Sequence, residues 1–313
     1  MIRLKKTYYL KQGQSLGLKT IKISGDICEI YSLSGNTKPK KIEKIIKRLK
    51  RYEINSVVLS KKIHLLSNFV NMLNSHEIFI YDGKWIGQYL ILDIIEYLEK
   101  KQKVAKNNDE VAFLANDLTE EVKGNINALV KKFKKVRIIT NHPEKFKKIE
   151  NDLLENQGIS IIISNNKKKS LLKSQIIINF DFVEEEINKY NINEDAIIIS
   201  ICEKIKINKK RFSGIVIIDY EVKCNADYSD LKQNDSIIEN KEFYNKEIYE
   251  EKIHNELIGR THLSEANCSK YEIVRNIIKE KQIKVVAVYG ENGKISWDLP
   301  NVNVKMTIWI PEN

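Results

Sequence analysis

Between Val111 and Cys224, short β-rich apolar runs alternate with charged, helix-like segments: VAFLAND, VRIITNH, ISIIISNN, QIIINFD, AIIISI and GIVIIDY. Runs of branched apolar residues read as strands buried on both faces. Polar helices between such strands are what a parallel sheet needs for its crossovers. The alternation therefore predicts an α/β chain. A Rossmann-like, mostly parallel sheet domain is expected over 104–225, a smaller α/β domain over 1–103, and a short α+β segment over 226–313.

Local signals fill in the elements. TIKISGDICEIYSL reads as one or two strands broken at Gly25-Asp26. Thr37 and Pro39 open a helix in which Ile42, Ile45, Ile46 and Leu49 form an apolar stripe. INSVVLS and HEIFIYDG are strands, followed respectively by the helices HLLSNFVNML and WIGQYLILDIIEYLEKK. Residues 100–109 have no apolar spacing and read as a linker or as the frayed end of the preceding helix. Thr119 is placed to cap LTEEVKGNINALVKKF, Pro143 to start PEKFKKIENDLLENQ and Gly158 to end it. KKSLLKS is expected as a short helix. Asn225 to Glu242 reads as a loop, before the helices KEIYEEKIHNELIG and SKYEIVRNIIKEKQ. The strand KVVAVYG then meets a hairpin-like turn at Glu291–Lys294, and VNVKMTIWI is expected as a closing strand. This tail packs on the first domain or forms an appendage of its own.

Composition narrows the partners. A formal charge of +11 invites a polyanion, yet only seven of the 53 basic residues are arginine. The sequence is crowded with Lys, Asn and Ile, as AT-rich coding makes it, and Arg is the residue of bidentate phosphate and guanine recognition. Nucleic acid is thus an alternative partner and not the favoured one. Lys131–Lys135 and Lys167–Lys169 read as solvated helix faces. Cys28, Cys202, Cys224 and Cys268 are scattered, which argues for neither a disulfide framework nor a zinc site. MIRLKKTYYLKQGQ has no apolar signal core, and QYLILDIIEYL is broken by Asp93 and Glu96, so a cytoplasmic protein outside the membrane is expected.

At VRIITNHPEKF the order of elements resembles shikimate dehydrogenase and glutamyl-tRNA reductase, and amino-acid-dehydrogenase-like Rossmann proteins more broadly. In that family the second strand commonly ends in an Asn-Arg-Thr turn with a Lys or Arg near the start of the next helix. Asn141, His142 and Pro143 hold that place here, with Lys145 just beyond. KSLLKSQIIINFD is similar to the family's fourth strand. The resemblance covers residues 1–225 and implies an oxidoreductase using NADP.

The first turn departs from it. The family's turn is glycine-rich so that backbone can approach a pyrophosphate, whereas Ala115, Asn116, Asp117, Leu118 and Thr119 stand here. A carboxylate about 4 Å from a diphosphate opposes binding by up to roughly 4 kcal/mol at an effective dielectric of ~20, before screening. Lys61 or Lys62 with Asp82 also lack the surroundings of the Lys–Asp pair that shikimate dehydrogenase uses at its hydroxyl substrate. The chain reads as a degenerate relative with no cofactor expected, NADP being the alternative.

Candidate ligand-binding residues lie at the carboxyl ends of the strands: Asn116 and Asp117, Asn141 and His142, Asn165, then Asn179 and Asp181. Such a rim suits a ribose, a nucleobase or a small polar metabolite, although Asn and Asp are equally at home in turns and caps. No catalytic set stands out. GRTHLSEAN mixes Thr, His, Ser and Glu without a nucleophile elbow, and His64, His76 and His254 lack the carboxylate spacing of a metal site. Trp85 is a ligand platform or a packing residue.

Three functions follow. The first is a binding, scaffold or regulatory protein without dehydrogenase activity, serving a protein partner or a small polar ligand. Its scaffold form expects an exposed patch around Trp297 or Trp309. The second is an NADP-dependent oxidoreductase with an atypical turn, and the third a basic nucleic-acid-associated protein. The oxidoreductase reading requires Asn116, Asp117, Asn141 and Asn179 to line one open cleft; a cleft filled by their own side chains counts against it.

Overall fold

The computed structural model describes residues 7–13, 21–31, 33–101, 103–104, 110–224, 242–261 and 268–296. The stretches around Trp297, Trp309 and the VNVKMTIWI strand lie outside them, as do His262 and most of the segments 100–109 and 225–242.

The first sheet is formed by β1 (Tyr8–Gln12), β2 (Ile21–Ser24), β3 (Ile27–Ile30), β4 (Ser56–Leu59) and β5 (Phe79–Tyr81), in the order β2-β3-β1-β4-β5. All its ladders are parallel except the β2–β3 hairpin, which turns at Gly25 with φ 61°. The central strand β1 was not expected, because TYYLKQ is short and flanked by lysines. It becomes a strand by pairing with β3 on one side and β4 on the other. The Pro39–Arg51 helix buries the predicted Ile42, Ile45, Ile46 and Leu49 against this sheet's core.

The alternating runs form β6 (Glu110–Leu114), β7 (Lys135–Ile139), β8 (Ile162–Ser164), β9 (Ile176–Asn179), β10 (Ile197–Ile199) and β11 (Ile215–Ile217). They make a wholly parallel sheet in the order β8-β7-β6-β9-β10-β11. Counted from β6, that is 3-2-1-4-5-6, the order of doubly wound dinucleotide-binding sheets. The fold is Rossmann-like. Its topological switch point falls between β6 and β9, where neighbouring loops leave the sheet in opposite directions.

Helix punctuation follows the sequence. Thr119 Oγ1 accepts from the Val122 amide at 3.3 Å to cap the Glu120–Lys132 helix. Pro143 starts the next helix, and Gly158 ends it at φ 65°. Two expectations are corrected. KKSLLKS is a turn, because Asn166 Oδ1 accepts the amides of Lys168 and Lys169 at 3.0 and 3.1 Å, an Asx arrangement that competes with helix. The WIGQYLILDIIEYLEKK helix breaks at Leu90 into Lys84–Tyr89 and Ile91–Lys100. At the break, the Gln88 and Tyr89 carbonyls accept from Asn125 Nδ2 (2.9 Å) and Arg275 Nη1 (2.7 Å).

After Ile218 the chain continues from β11 into β12 (Asp219–Cys224), which pairs antiparallel with β13 (Ile283–Gly290), itself hairpinned to β14 (Gly293–Lys294). The Asn245–Thr261 helix packs on β4, β5 and β12, and the Lys270–Glu280 helix packs on the Glu120–Lys132 helix. These C-terminal elements share one apolar core with the parallel sheet and the helices of 84–100. Among the described residues, no helix is long and apolar enough to cross a membrane.

Candidate functional site

At the switch point, β6 ends in the glycine-free turn and β9 ends in Asn179, two residues before Asp181. The Asp181 carboxylate reaches across. Its Oδ2 accepts the Asn116 amide at 2.8 Å and the Asp117 amide at 3.2 Å, and its Oδ1 accepts the Asn116 amide at 2.9 Å. Backbone amides at this turn are the groups that cradle a phosphate in dinucleotide-binding sheets. Here two amides of the turn donate to a carboxylate of the same chain. Burial pushes the Asp181 carboxyl above its ordinary range. The two amides oppose the rise, and the nearby charges of Asp117 and Glu186 add to it.

The other rim residues are laced together. Asn116 Oδ1 accepts the Asn141 amide at 2.9 Å, and Asn141 Nδ2 donates to Glu186 at 2.9 Å. Lys145 pairs with Asp117 and holds its carboxyl below the usual range. His142 is exposed; its amide donates to Thr140 Oγ1 at 3.0 Å and its ring lies 3.5 Å from Glu144. Asn179 is only 2% exposed and turned inward: it donates to the Phe182 carbonyl (2.8 Å) and Ser200 (2.9 Å) and accepts the Phe182 amide. Asn165 is exposed and makes no side-chain hydrogen bond among the described residues. The structure thus brings Asn116, Asp117, Asn141 and Asp181 into one network, with Asn179 beneath it and His142 and Asn165 outside.

A second concavity lies between the carboxyl ends of the two parallel sheets. A cavity of about 300 Å³ is bounded by His64, the Asp82–Lys84 turn after β5, Lys204 after β10, Asp219 and Tyr220 of β12, and Lys246 and Glu247. It opens into a groove of about 640 Å³ beside Lys61, Tyr244 and Tyr289. Glu247 is buried, and both of its carboxylate oxygens lie 3.0 Å from His64 Nε2. Burial raises the Glu247 pKa, against the pull of His64. Lys246 pairs with Asp219. Asp82 accepts the Lys84 amide at 2.9 Å, and Asp82, Lys84 and Lys204 make no ion pair among the described residues.

Glu250 closes the wall of this cleft. Its carboxylate accepts the amides of Gly83 (2.7 Å), Trp85 (2.9 Å) and Ile86 (3.3 Å), and so caps the Lys84–Tyr89 helix from another element. Burial raises its pKa to about 7 despite these donors, with Asp82 adding to the rise. Trp85 is a packing residue, edge-on to Tyr89 at 5.0 Å and to His254 at 5.6 Å.

Sequence reasoning weighed His64 only as a metal ligand and passed over Lys204, Asp219, Lys246, Glu247 and Glu250. One signal was present: Glu247, Glu250, Glu251 and His254 recur at helical spacing, forming a polar stripe on a helix that also carries Ile248, Tyr249, Ile253 and Leu257. Its partners lie more than 150 residues away in sequence (183 for His64, 167 for Gly83), so no local pattern pointed to them.

No protein-family model matches the chain, and no curated protein matches its sequence. Solved structures with which it can be superposed include an L-tryptophan dehydrogenase from Nostoc punctiforme, at 10% identity and a TM-score of 0.32, over 83% of this chain and 72% of that one. An NAD-dependent malic enzyme from Thermotoga maritima is 16% identical, with a TM-score of 0.30, over 62% and 55% of the two chains. A shikimate 5-dehydrogenase from Listeria monocytogenes, in complex with shikimate and NAD, is 9% identical, with a TM-score of 0.27, over 56% and 68%.

Proposed function

We propose that this chain is a Rossmann-like binding protein without dehydrogenase activity, which takes a small anionic ligand in the cleft between its two parallel sheets. The observation that carries the reading is the Asp181 carboxylate on the Asn116 and Asp117 amides. A dinucleotide phosphate would have to displace that carboxylate, accept Asp117 and Glu186 as neighbours, and do so at a turn without glycine. The requirement of an open rim is met poorly, since Asn116, Asp117 and Asn141 bond to one another or to their neighbours and Asn179 is buried. The cleft sets Lys84, Lys204 and Lys246 against Asp82, Asp219 and Glu247. Asp219 and Glu247 are held by Lys246 and His64, which leaves Lys84 and Lys204 facing the cleft with Asp82, and Tyr220 and Tyr244 supply apolar area.

Thermal unfolding in the presence of ligands tests this. NAD, NADP and their reduced forms are expected to leave Tm unchanged. Inorganic phosphate and citrate, used as anion probes, are expected to raise it in the parent and not in Lys84→Ala/Lys204→Ala. A ligand at ~100 times its dissociation constant stabilises the folded state by about 2.7 kcal/mol, which is readily visible. Stabilisation by NADP that disappears in Asn141→Ala would sink the proposal in favour of an oxidoreductase.

A further inference from the structure

One helix of the chain is strongly basic. Seven of the thirteen residues of Pro39–Arg51 are Lys or Arg, and Glu43 is its one acid. At 100° per residue, Lys40, Lys44, Lys47 and Arg51 fall along one line of the helix, diametrically opposite the buried Ile42, Ile45, Ile46 and Leu49. Lys41, Arg48 and Lys50 flank that line. Glu43 pairs with Lys47 at 2.7 Å, while Lys40, Lys41, Lys44, Lys50 and Arg51 make no ion pair among the described residues. A groove of about 380 Å³ on this face is lined entirely by Lys41, Lys44, Lys47, Arg48 and Arg51. Directly beyond the last arginine, Tyr52 is 55% exposed, and at the same angular step it falls on the flank that carries Lys41 and Arg48.

We propose that this face binds single-stranded nucleic acid, the line of cations tracking the phosphodiester backbone and Tyr52 stacking on a base. Lys40 to Arg51 spans about 17 Å at 1.5 Å per residue, enough to meet roughly three to five phosphates of one strand. A basic groove with an exposed aromatic on its flank supplies the two elements, backbone cations and a stacking face, that hold single strands without sequence preference. An anionic membrane is the poorer occupant, because the helix's four large apolar side chains are each at most 2% exposed and none is free to enter a bilayer. The inference is independent of the cleft, whose lining includes none of these residues.

Fluorescence anisotropy of the full chain with labelled oligo-uridine and oligo-deoxythymidine, titrated at several salt concentrations, decides it. Binding of either strand is expected, with log K falling against log salt at a slope of about −2 to −3.5. The two strands report whether the 2′-hydroxyl matters. Lys40→Glu/Lys44→Glu/Arg51→Glu should weaken binding at least roughly thirtyfold and flatten the slope. Tyr52→Ala should weaken it roughly five- to hundredfold with the slope kept. Lys167→Glu/Lys168→Glu/Lys169→Glu carries the same change of net charge on another exposed loop and should stay within about threefold of the parent, with circular dichroism confirming the fold of each variant. The proposal is overturned by no binding at low salt, by equal losses in the two triple variants, by tighter binding of a duplex, or by capture on phosphatidylserine vesicles without binding to either strand.

Discussion

Glu250→Ala is expected to lower the unfolding free energy by roughly 3 kcal/mol or more. The substitution leaves the amides of Gly83, Trp85 and Ile86 facing a buried hole where one carboxylate had accepted all three, and each buried donor without an acceptor costs about 1–3 kcal/mol. The local effect is loss of the cap of the Lys84–Tyr89 helix, and with it the wall of the cleft formed by Gly83 and Lys84. Urea unfolding measures the loss; a change below about 0.5 kcal/mol would show that Glu250 does not hold that turn.

The same residue sets a pH dependence. Its folded pKa of about 7 lies above the ordinary 4.5, so the fold favours the protonated form. The stabilisation is complete below about pH 4.5, declines as pH rises, and is gone above pH 7, a span worth up to roughly 3 kcal/mol. Burial raises Glu247, Glu251 and Asp181 too, and these act with the same sign. His254 is lowered by burial and acts with the opposite sign, withdrawing stability as pH falls below 6.5. Glu250→Gln keeps an acceptor and removes the titration. Its stability should therefore change less than the parent's between pH 5 and pH 8, and equal slopes would count against the assignment.

Gly124→Val is expected to cost about 3 kcal/mol or more. Gly124 lies within the Glu120–Lys132 helix, and a Cβ there would overlap the Tyr271 ring of the Lys270–Glu280 helix. That ring has no room to retreat: it is buried, stacks on Tyr89 at 5.3 Å, and donates its hydroxyl to Asn125 Oδ1 at 3.3 Å. Overpacking commonly costs 1–3 kcal/mol, and a β-branched residue regains little helix propensity over glycine. Tyr271→Leu in the same chain should restore part of the loss, since the smaller side chain vacates the space. If Gly124→Val unfolds at the parent's temperature, the two helices do not meet as described.

Most of the parallel sheet was legible because its signals are local. Four-residue runs such as QIII and AIII can be satisfied only by burial on both faces, and Thr119, Pro143 and Gly158 mark helix ends through their own backbone chemistry. Where a local signal failed, a distant partner had outweighed it. Asn125 and Arg275 interrupt a helix that sequence alone continued through Leu90, and β3 and β4 make a strand of Tyr8–Gln12.

By itself, then, the sequence determined the α/β class, the strands and caps of the Rossmann-like unit, and a first turn without glycine. Tertiary structure alone decided the strand order, the position of the switch point and what fills it. Asp181 is 65 residues from Asn116, and Glu247 is 183 from His64; a carboxylate's partner at such range depends on which surfaces the folded chain presses together and strips of water. Spacing along the chain carries no record of that.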